Sequence, residues 1–336
     1  MFHNSKILIT GGTGSIGSEI LRQLLIYNPK VIRVFSRDES KQFELQQELG
    51  EFCNIRYLVG DIRDKERLIY ATKDVDIIFH AAALKHVPSC EYNPFEAVKT
   101  NVIGVQNVIE AAIINNVKKV VSISTDKVVN PINTMGATKL LSERLILAAE
   151  LYKGSAPTTF SCVRFGNVMG SRGSIIPLIK KQIQNNLPIT ITDKRMTRFM
   201  MSIPQAAKLV LNAAQMSKGG EIFVLKMPVI KIIDLVEVLI EDYLKKFNNR
   251  EISEIVEIGP RPGEKLYEEL MTIEESERAI ENEKMYIIFS HLGERDNWHI
   301  PNGYTKAENK AYSSQNAKTL SKDEIYMLLE REGLLF

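Results

Sequence analysis

Short apolar runs alternate with amphipathic helical patterns through the first half of the chain. The runs Lys6–Thr10 and Val31–Ser36 are rich in isoleucine, leucine and valine, and residues 16–25 then place apolar side chains at helical spacing. Parallel strands that are buried on both faces have this near-continuous apolar character, and their alternation with helices is typical of βαβ units. The pattern predicts six strands of one parallel sheet, at 6–10, 31–36, 54–59, 76–80, 119–123 and 158–165.

The pattern changes after about residue 168, where shorter strands begin to alternate with helices. This change is interpreted as the start of a second, smaller unit. The shorter strands are predicted at 189–192, 221–225 and 255–258, and the helices at 205–216 and 232–246.

These patterns together predict an α/β protein with a doubly wound, Rossmann-type parallel sheet. The sheet domain is expected to span residues 1–168, and a smaller α/β substrate-binding lobe to span 169–292, with interleaving of the two left open. Residues 293–336 are expected to form a polar, irregular tail that is anchored by Trp298 and packs across the lobe or a neighbour.

A glycine-rich turn follows the first predicted strand. Gly11, Gly14 and Gly17 form a Gly-x-x-Gly-x-x-Gly pattern between a strand and a helix, which is a variant of the dinucleotide-binding fingerprint. The first glycine permits the tight turn, the second lets the backbone approach a pyrophosphate, and the third lets the helix pack closely. A pyrophosphate would lie at the helix N-terminus. The predicted cofactor contacts of the turn are Gly11, Thr13, Gly14, Ser15, Ile16 and Gly17.

The end of the second strand indicates which dinucleotide is bound. An NAD site usually places an acidic residue there for the ribose diol, but this strand ends in Ser36 and Arg37, with Lys41 four residues later. Arginine and lysine can neutralise a 2′-phosphate, and arginine does so with a bidentate fork. The sequence therefore favours NADP. The alternative is that Arg37 is a surface residue and that Asp38 binds the diol.

Composition excludes several functional classes and adds no new one. A formal net charge of +2 does not indicate nucleic-acid binding. Cys53, Cys90 and Cys162 lie far apart without metal-ligand spacing, which favours buried thiols in a reducing compartment and predicts no metal site. No apolar run approaches the ~18 residues of a membrane span. The sequence thus predicts a cytoplasmic protein that is not bound to a membrane.

The candidate chemistry is concentrated after the predicted strand 119–123. Thr125, Asp126 and Lys127 follow this strand, and the next predicted helix, which runs to about residue 151, carries Lys139. Ligands of open α/β sheets bind outside the carboxyl ends of the strands. We therefore expect a hydroxyl, a carboxylate and two amines at the same edge of the sheet as the glycine-rich turn. The alternative is a capping loop with a solvated lysine.

The stretch 122–139 resembles the active-site segment of the extended short-chain dehydrogenase/reductase superfamily. It is most similar to the nucleotide-sugar 4,6-dehydratases that act on UDP-N-acetylglucosamine. The superfamily pairs a catalytic tyrosine with a lysine four residues later, and Lys139 matches the lysine. Met135 stands where the tyrosine is expected, and no other Tyr-x-x-x-Lys occurs in the chain. The resemblance is closest to the subset of dehydratases that have methionine here.

The resemblance extends from residue 6 to about residue 267 and implies further contacts. In the family an Asp-hydrophobic pair, here Asp61 and Ile62, contacts the adenine, although Asp61 could equally cap a helix. Asn101 is expected to support the active-site geometry. A loop at 172–174 is expected to open over the substrate. The cofactor residues implied beyond the turn are Ser36, Arg37, Lys41, Asp61, Ile62, Ala81, Ala82, Lys85 and Lys139, and the substrate residues are Lys85, Asn167, Val168, Arg198, Arg261 and Glu264.

The resemblance also implies a reaction, in which hydride leaves C4 of the sugar, water is lost across C5–C6, and hydride returns to C6. Asp126 can protonate the leaving 6-hydroxyl if burial favours its protonated form, and Lys127 can take the C5 proton if burial and nearby cations lower its pKa. Thr125 is expected to contact the 4-oxygen, and Lys139 the nicotinamide ribose. The residues alone would allow Asp126 and Lys127 to exchange roles. Since Met135 cannot accept a proton, we expect the C4 proton to leave through Thr125 and water to Asp126.

Several outcomes stay open at this point. Retention at C5 is favoured over inversion because the tyrosine that could protonate C5 from the opposite face is missing. The product would be a UDP-4-keto-6-deoxy sugar for bacterial glycans such as pseudaminic acid or capsule, and the family implies a homo-oligomer, dimer or hexamer. The alternatives are a UDP-sugar 4-epimerase, a UDP-sugar reductase and a non-enzymatic NADP-sensing protein.

Overall fold

The computed structural model describes residues 1–50, 52–171, 173–247, 254–292 and 300–336. Arg172, the first residue of the loop expected at 172–174, and the expected tail anchor Trp298 lie outside the described residues. Within the described residues, no helix combines the length and apolar character needed to cross a bilayer.

A ten-stranded sheet forms the centre of the molecule, and seven neighbouring strands of it are parallel. Their order along the sheet is β3-β2-β1-β4-β5-β6-β10, which places the reversal of strand order beside β1. The predicted doubly wound Rossmann-type sheet is confirmed. The parallel strands are β1 (Lys6–Thr10), β2 (Val31–Ser36), β3 (Ile55–Val59), β4 (Ile77–His80), β5 (Lys119–Ile123), β6 (Thr159–Arg164) and β10 (Glu221–Leu225).

Helices cover both faces of the sheet and bury its central strands. All four residues of β4 are buried, as are four of the five residues of β1, because helices pack on both sides. The helices of the chain are α1 (Ser15–Leu25), α2 (Glu39–Leu49), α3 (Lys65–Ala71), α4 (Val87–Tyr92), α5 (Pro94–Val98), α6 (Gly104–Ile114), α7 (Thr134–Tyr152), α8 (Ile175–Gln184), α9 (Ile203–Met216), α10 (Ile232–Phe247), α11 (Ile273–Ser276) and α12 (Lys322–Arg331).

The second half of the chain contributes to the main sheet, which corrects one prediction. Strand β10 was expected in the smaller lobe, but it pairs in parallel with β6. Three antiparallel strands then extend the sheet beyond β10, and none of them was predicted. They are β15 (Met285–Phe289), β14 (Ala279–Glu281) and β16 (Thr305–Lys306). The strand β10 is buried along most of its length, so its apolar run marks an interior sheet strand.

The smaller lobe has its own apolar core beside the carboxyl ends of the parallel strands. Helices α8 and α10 enclose this core, and α12 packs against it through Ile325, Leu328 and Leu329. The expectation of an irregular tail is therefore wrong for residues 322–331, although the expected packing across the lobe is found. The remaining strands of the described residues are β7 (Asn167–Val168), β8 (Ile189–Ile191), β9 (Thr197–Met201), β11 (Val229–Lys231), β12 (Ile255–Glu257), β13 (Glu269–Met271) and β17 (Tyr312–Ser313).

A wider turn interrupts the helical stretch that begins at Pro94. Helix α5 continues into a π-helical turn at Lys99–Ile103 and then into α6. Such turns often accompany functional sites, because they re-aim side chains that a regular helix would direct elsewhere. Here the turn carries the buried Asn101.

Candidate active site

The glycine-rich turn is held tightly against the neighbouring strand end. Gly11 has φ of +66°, and a Cβ atom there would lie 2.7 Å from the backbone nitrogen of Ala82. A Cβ atom on Gly17 would lie 2.4 Å from the carbonyl oxygen of Gly11. Both positions therefore exclude a larger residue. Gly14 is the N-cap of α1 and offers no side chain to cap the helix, which leaves the first turn of α1 open to an anion.

Cations lie at the end of β2, as predicted, but they are already paired. Lys41 Nζ is 2.6 Å from the carboxylate of Asp38, which also caps α2. Arg37 is more than half exposed and lies 3.8 Å from Asp61. The side chain of Ser36 accepts a hydrogen bond from Gln42. The structure thus brings Ser36, Arg37 and Lys41 to the expected place.

Asp61 does not cap a helix, which removes one of its two predicted roles. The N-cap of α3 is Asp64, whose side chain accepts from the backbone N–H of Arg67. Asp61 instead accepts from the backbone and side chain of Arg63. These hydrogen bonds and ion pairs outweigh the effect of burial and lower the pKa of Asp61. The next residue, Ile62, is buried beneath α6.

Thr125, Asp126 and Lys127 form a connected set at the carboxyl end of β5. Thr125 Oγ1 donates to Asp126 Oδ1 at 2.7 Å, and Lys127 Nζ lies 3.0 Å from Asp126 Oδ2. Asp126 is buried, whereas the side chain of Lys127 is about one third exposed (32%). A short turn at Asp126–Val128 follows β5 and holds the three residues together. The structure therefore provides a hydroxyl-to-carboxylate contact of the kind expected for removal of a hydroxyl proton.

The charge state of Lys127 differs from the prediction. Burial acts to lower its pKa, but the carboxylates of Asp126 and Glu268 outweigh burial and raise it. A cationic neighbour, Arg198, opposes this only in part. The expectation of a lowered pKa is therefore wrong, because two carboxylates surround the ammonium group.

Glu268 is the residue that sequence reasoning missed at this site. Its side chain is buried, and both carboxylate oxygens accept from Asn167 Nδ2 at 2.8 Å. Burial and the negative charge of Asp126 raise the pKa of Glu268 to about 7. The available sequence signal was a pair of adjacent glutamates, Glu268 and Glu269, shortly after the Arg261–Lys265 motif.

Lys139 and Met135 lie on the buried side of α7. Lys139 Nζ donates to the carbonyl oxygen of Ile123 at 2.6 Å, and burial lowers the pKa of this lysine. Met135 is buried with Cys90 and Ala97 in a small apolar cluster that also contacts Val87. Met135 therefore fills space beside the cleft and offers no group that could exchange a proton.

Asn101 connects α7 to the loop after β4. Its side chain donates to the Leu84 carbonyl and to Thr138 Oγ1, and accepts from the Leu84 backbone N–H at 2.8 Å. Because Thr138 precedes Lys139, these bonds fix the helix that carries the lysine. This agrees with the supporting position that was predicted for Asn101.

The main sheet and the smaller lobe meet at two adjoining cavities of about 250 and 200 Å³. The larger one lies between α8, β8 and β9 and includes Val168, and the smaller one contains Asp126, Lys127 and Glu268. Lys85 is exposed and lines neither of these two cavities. Four of the predicted substrate residues line both: Asn167, Arg198, Arg261 and Glu264.

A seam between the lobe and the active-site loop closes one side of the cleft. Asn133 caps α7 with its Oδ1 atom and donates from Nδ2 to the Gly263 carbonyl at 2.8 Å. Lys265 Nζ donates to the Val129 carbonyl, and Asn130 Nδ2 donates to Glu269. The 263–269 segment, which carries Glu268, is thereby fixed against the loop that carries Lys127.

Comparisons with known proteins agree with this geometry. The chain is 47% identical over 290 residues to a UDP-N-acetylglucosamine 4,6-dehydratase (inverting) of Campylobacter jejuni, covering 86% of this chain and 84% of the relative. It is 54% identical to an uncharacterized membrane protein of Methanocaldococcus jannaschii, covering 99% and 98%. It is 42% identical to a UDP-glucose 4-epimerase of Rickettsia bellii, covering 98% and 96%.

A solved structure and a family profile extend the match to the whole fold. The X-ray structure of Pen from Bacillus thuringiensis is 51% identical, covers both chains completely and superposes with a TM-score of 0.94. Residues 7–290 match the profile of the family described as "Polysaccharide biosynthesis protein". The resemblance to UDP-N-acetylglucosamine 4,6-dehydratases of the extended short-chain dehydrogenase/reductase superfamily is confirmed, and the chain belongs to the polysaccharide biosynthesis protein family.

Proposed function

We propose that the chain is an NADP-dependent 4,6-dehydratase, a hydro-lyase, that acts on UDP-N-acetylglucosamine. One observation carries the proposal, namely that Asp126 and Lys127 line the smaller cavity, with Thr125 hydrogen-bonded to Asp126, at the sheet edge that also bears the glycine-rich turn. A carboxylate and an amine at a sugar-sized cavity suit proton removal and proton donation on neighbouring carbons. The Campylobacter relative carries this activity in its name.

The dinucleotide would be held by the glycine-rich turn, by the end of β2 and by Asp61, Ile62, Ala81 and Ala82. The lack of room for a Cβ atom at Gly11 and the uncapped first turn of α1 fit a pyrophosphate. When bound, the nicotinamide would take hydride from C4 and return it to C6. The exposed Arg37 and the nearby Lys41 support NADP, and the ion pair of Asp38 with Lys41 makes Asp38 a poorer partner for a ribose diol.

The C4 proton would travel from the hydroxyl through Thr125 to Asp126. The 2.7 Å hydrogen bond between these two residues supports this route, which needs no tyrosine. Asp126 would then carry the proton that the leaving 6-hydroxyl requires, so that one proton passes from O4 to O6 in each turnover. Lys127 would take the C5 proton, and Lys139 would bind the nicotinamide ribose.

The UDP group would occupy the larger cavity. Arg198 and Arg261 line both cavities and can pair with the diphosphate, and Glu264 can accept from ribose hydroxyls. On β7, Asn167 lines both cavities and Val168 lines the larger one, and both would contact the diphosphate or the sugar. Arg198 currently contacts Glu268 and Glu264, so diphosphate binding would replace protein contacts of this guanidinium group. Lys85 would reach the site only if its loop closes.

The stereochemical outcome at C5 stays a prediction of retention. In this scheme Lys127 removes the C5 proton and returns it from the same face. The word "inverting" in the name of the Campylobacter relative favours the opposite outcome. Proton NMR of the product formed in ordinary water would decide, because H3 and H5 lie on the same face of the ring after retention and on opposite faces after inversion, which changes the nuclear Overhauser effect between them.

A UDP-sugar 4-epimerase is the second candidate, because the Rickettsia relative is named as one. An epimerase would exchange protons only at O4 and would leave Lys127 without a role. The decisive experiment incubates the purified protein with UDP-N-acetylglucosamine and no added NADPH, followed by mass spectrometry and NMR. A dehydratase yields a product lighter by one water that bears a C6 methyl group. A product of unchanged mass would favour the epimerase, and water loss without a C6 methyl group would contradict the return of hydride.

The assembly and the role of Met135 can be tested separately. The α5–α7 surface exposes apolar side chains, among them Phe95, Ile103, Leu141 and Leu151. They support a homo-oligomer, either a dimer or a hexamer, whose mass light scattering would measure. The proposed location of this enzyme is the cytoplasm.

Since Met135 only fills space in this proposal, Met135→Tyr should retain measurable dehydration.

A further inference from the structure

Glu268 lines the smaller cavity and is held there by several donors. Besides Asn167, the backbone N–H of Phe199 donates to Glu268 Oε2 at 3.1 Å, and Arg198 Nε lies 3.3 Å from Oε1. The same Oε1 atom lies 3.8 Å from Lys127 Nζ. Glu268 therefore contacts one predicted diphosphate ligand and one predicted base at the same time.

Lys127 cannot act as a base in this arrangement. Its Nζ atom lies between Asp126 at 3.0 Å and Glu268 at 3.8 Å, and the two carboxylates favour the ammonium form. An ammonium group has no lone pair with which to take a proton from C5. For Lys127 to act, one proton must first move to a neighbour, and Asp126 is already assigned to the proton from O4. Glu268 is the other carboxylate in contact with Lys127 among the described residues.

The position of Arg198 can control such a transfer, because this cation pairs with Glu268. Its guanidinium group lies against Glu268 and, at 3.6 Å, against Glu264, and it also lines the cavity proposed for UDP. A diphosphate with two negative charges competes for the same fork of donors. When Arg198 turns toward the diphosphate, Glu268 loses its contact with a cation and becomes a better proton acceptor.

We propose that Glu268 is a positioning residue that takes a proton from Lys127 when a nucleotide diphosphate draws Arg198 away, and so converts Lys127 into the base. One N–H bond of Lys127 breaks and one O–H bond forms on Glu268, without a change in the net charge of the pair. The neutral Lys127 then takes the C5 proton and returns it after water has left. When the nucleotide leaves, Arg198 returns and the proton passes back from Glu268 to Lys127. The catalytic part of this inference rests on the proposed dehydratase function.

The surrounding charges are compatible with a proton-accepting role. The charged groups that face Glu268 are Asp126, Lys127, Arg198 and Lys265. Burial is the largest cause that raises its pKa, to about 7, followed by Asp126. The raised pKa of Glu268 brings it closer to that of Lys127 and so lowers the free-energy cost of moving the proton, the rest of which diphosphate binding must supply.

The first test compares Glu268→Gln with the wild type. Glutamine keeps the shape of the side chain but cannot take the proton, so we expect water loss to fall roughly 10²–10⁴-fold, the usual contribution of a positioned proton acceptor. The C4 oxidation, followed as cofactor absorbance in a single turnover, should persist, while exchange of the C5 proton with heavy water should fall. Glu268→Asp should restore part of the exchange.

A neighbouring residue offers a matched control. Glu269 contacts Asn130 and Lys265 on the same seam, so Glu269→Gln removes one negative charge nearby and should exchange the C5 proton at the wild-type rate. The wild-type rate should also fall below about pH 7, where Glu268 already carries a proton, and this dependence should be absent in Glu268→Gln. Wild-type C5 exchange in Glu268→Gln would overturn the proposal.

The second test does not depend on turnover. The ¹⁵N signal of Lys127 Nζ, assigned through Lys127→Arg, should move from the ammonium to the amine position when UDP is added to the wild type, and should not move in Glu268→Gln. An unchanged ammonium signal in the UDP complex would overturn the proton transfer. A wild type that shows this shift but releases no water from UDP-N-acetylglucosamine would refute the proposed function and leave the transfer standing.

Discussion

Two buried ionic clusters lie close together in this protein and behave differently. The first, called here the cleft cluster, consists of Asp126, Lys127, Arg198 and Glu268. The second, called the support cluster, consists of Glu143, Arg164 and Glu275. In the support cluster, Arg164 is 1% exposed, and it pairs with Glu143 at 2.5 Å and with Glu275 at 2.9 Å. Each cluster thus places a cation between two carboxylates.

The difference lies in the cation and in access to the cleft. Arg164 has a rigid fork that satisfies both carboxylates and the Leu270 carbonyl, and it cannot lose a proton. Although burial opposes it, Arg164 lowers the pKa of Glu275. In the cleft cluster, the corresponding carboxylate has a raised pKa, because burial acts on Glu268 and its cations are shared. A buried carboxylate therefore stays ionised when one cation pairs with it completely, as at Glu275, and takes up a proton more readily when its cations are shared, as at Glu268.

The largest expected effect is loss of activity when a charged side chain of the cleft cluster is replaced. Asp126→Asn and Lys127→Ala should each abolish water loss, while UDP binding, measured by calorimetry, persists. Asp126→Asn should also prevent the first hydride transfer, since it removes the acceptor of the C4 proton. Formation of NADPH absorbance by Asp126→Asn in a single turnover would refute this proton route, and near-normal turnover by Lys127→Ala would place the base elsewhere.

The next largest expected effect is loss of stability when the cation of the support cluster, Arg164, is replaced. Arg164→Met leaves Glu143 and Glu275 buried without their cation, which should lower the free energy of unfolding by about 3–5 kcal/mol. Denaturant unfolding measures this change. Thr159→Ser, on the same strand but at its exposed start, serves as a control that should change stability little. A small loss for Arg164→Met would show that the support cluster has no greater structural role than the cleft cluster.

A third prediction concerns how the stability that Glu268 of the cleft cluster contributes depends on pH. The pKa of Glu268 in the folded chain is raised from its usual 4.5 to about 7. The stability it contributes is fully present below about pH 4.5 and is lost as the pH rises through 7. Relative to Glu268→Gln, the wild type should therefore lose on the order of 3 kcal/mol between pH 4.5 and 8. Parallel stability curves for the two proteins, measured by urea unfolding, would contradict the raised pKa.

The smallest expected effect concerns an exposed ion pair. Arg37 lies 3.8 Å from Asp61 at the surface, so this pair should add little to stability. Arg37→Ala should leave the unfolding free energy nearly unchanged but weaken NADP binding by about 1.5–3 kcal/mol, the value of a charge-assisted hydrogen bond. NAD binding should change little. Equal losses for both dinucleotides in calorimetric titrations would show that Arg37 does not discriminate between them.

Local patterns were sufficient to predict much of the fold. The six strands of the first half lie within one or two residues of their predicted positions, and the helix predicted to run to about residue 151 ends at Tyr152, because apolar runs and helical spacing determine such elements locally. The set Thr125–Asp126–Lys127 was likewise found from its place after a buried strand. Pairing between distant strands carries no such local signal, so β10 was assigned to the wrong unit, and β14 to β16 were not predicted.

Glu268 was missed for the same reason, namely that contacts between distant parts of the chain leave no local signal in the sequence. Glu268 reaches Lys127 across the seam between the two parts of the protein, and no sequence spacing encodes a contact between residues so far apart. The direction of the pKa of Lys127 was mispredicted for this reason, since its sign depends on that second carboxylate. Predictions from sequence were thus reliable for residues that follow one strand. They were unreliable for ion pairs between distant parts of the chain and for the pKa shifts that these ion pairs cause.

The interleaved order of the sheet has a consequence for synthesis on the ribosome. Strand β6 leaves the ribosome with one edge unpaired, and it gains its outer neighbour only when β10 has emerged. Until then the nascent chain exposes a strand edge that can pair with another molecule. Strand β5, which precedes Asp126 and Lys127, can join its neighbours early, whereas Arg198 and Glu268 arrive much later. A shortened nascent chain that ends after β6 would therefore present Lys127 without Glu268, the carboxylate proposed to take its proton, on a sheet with an unpaired edge.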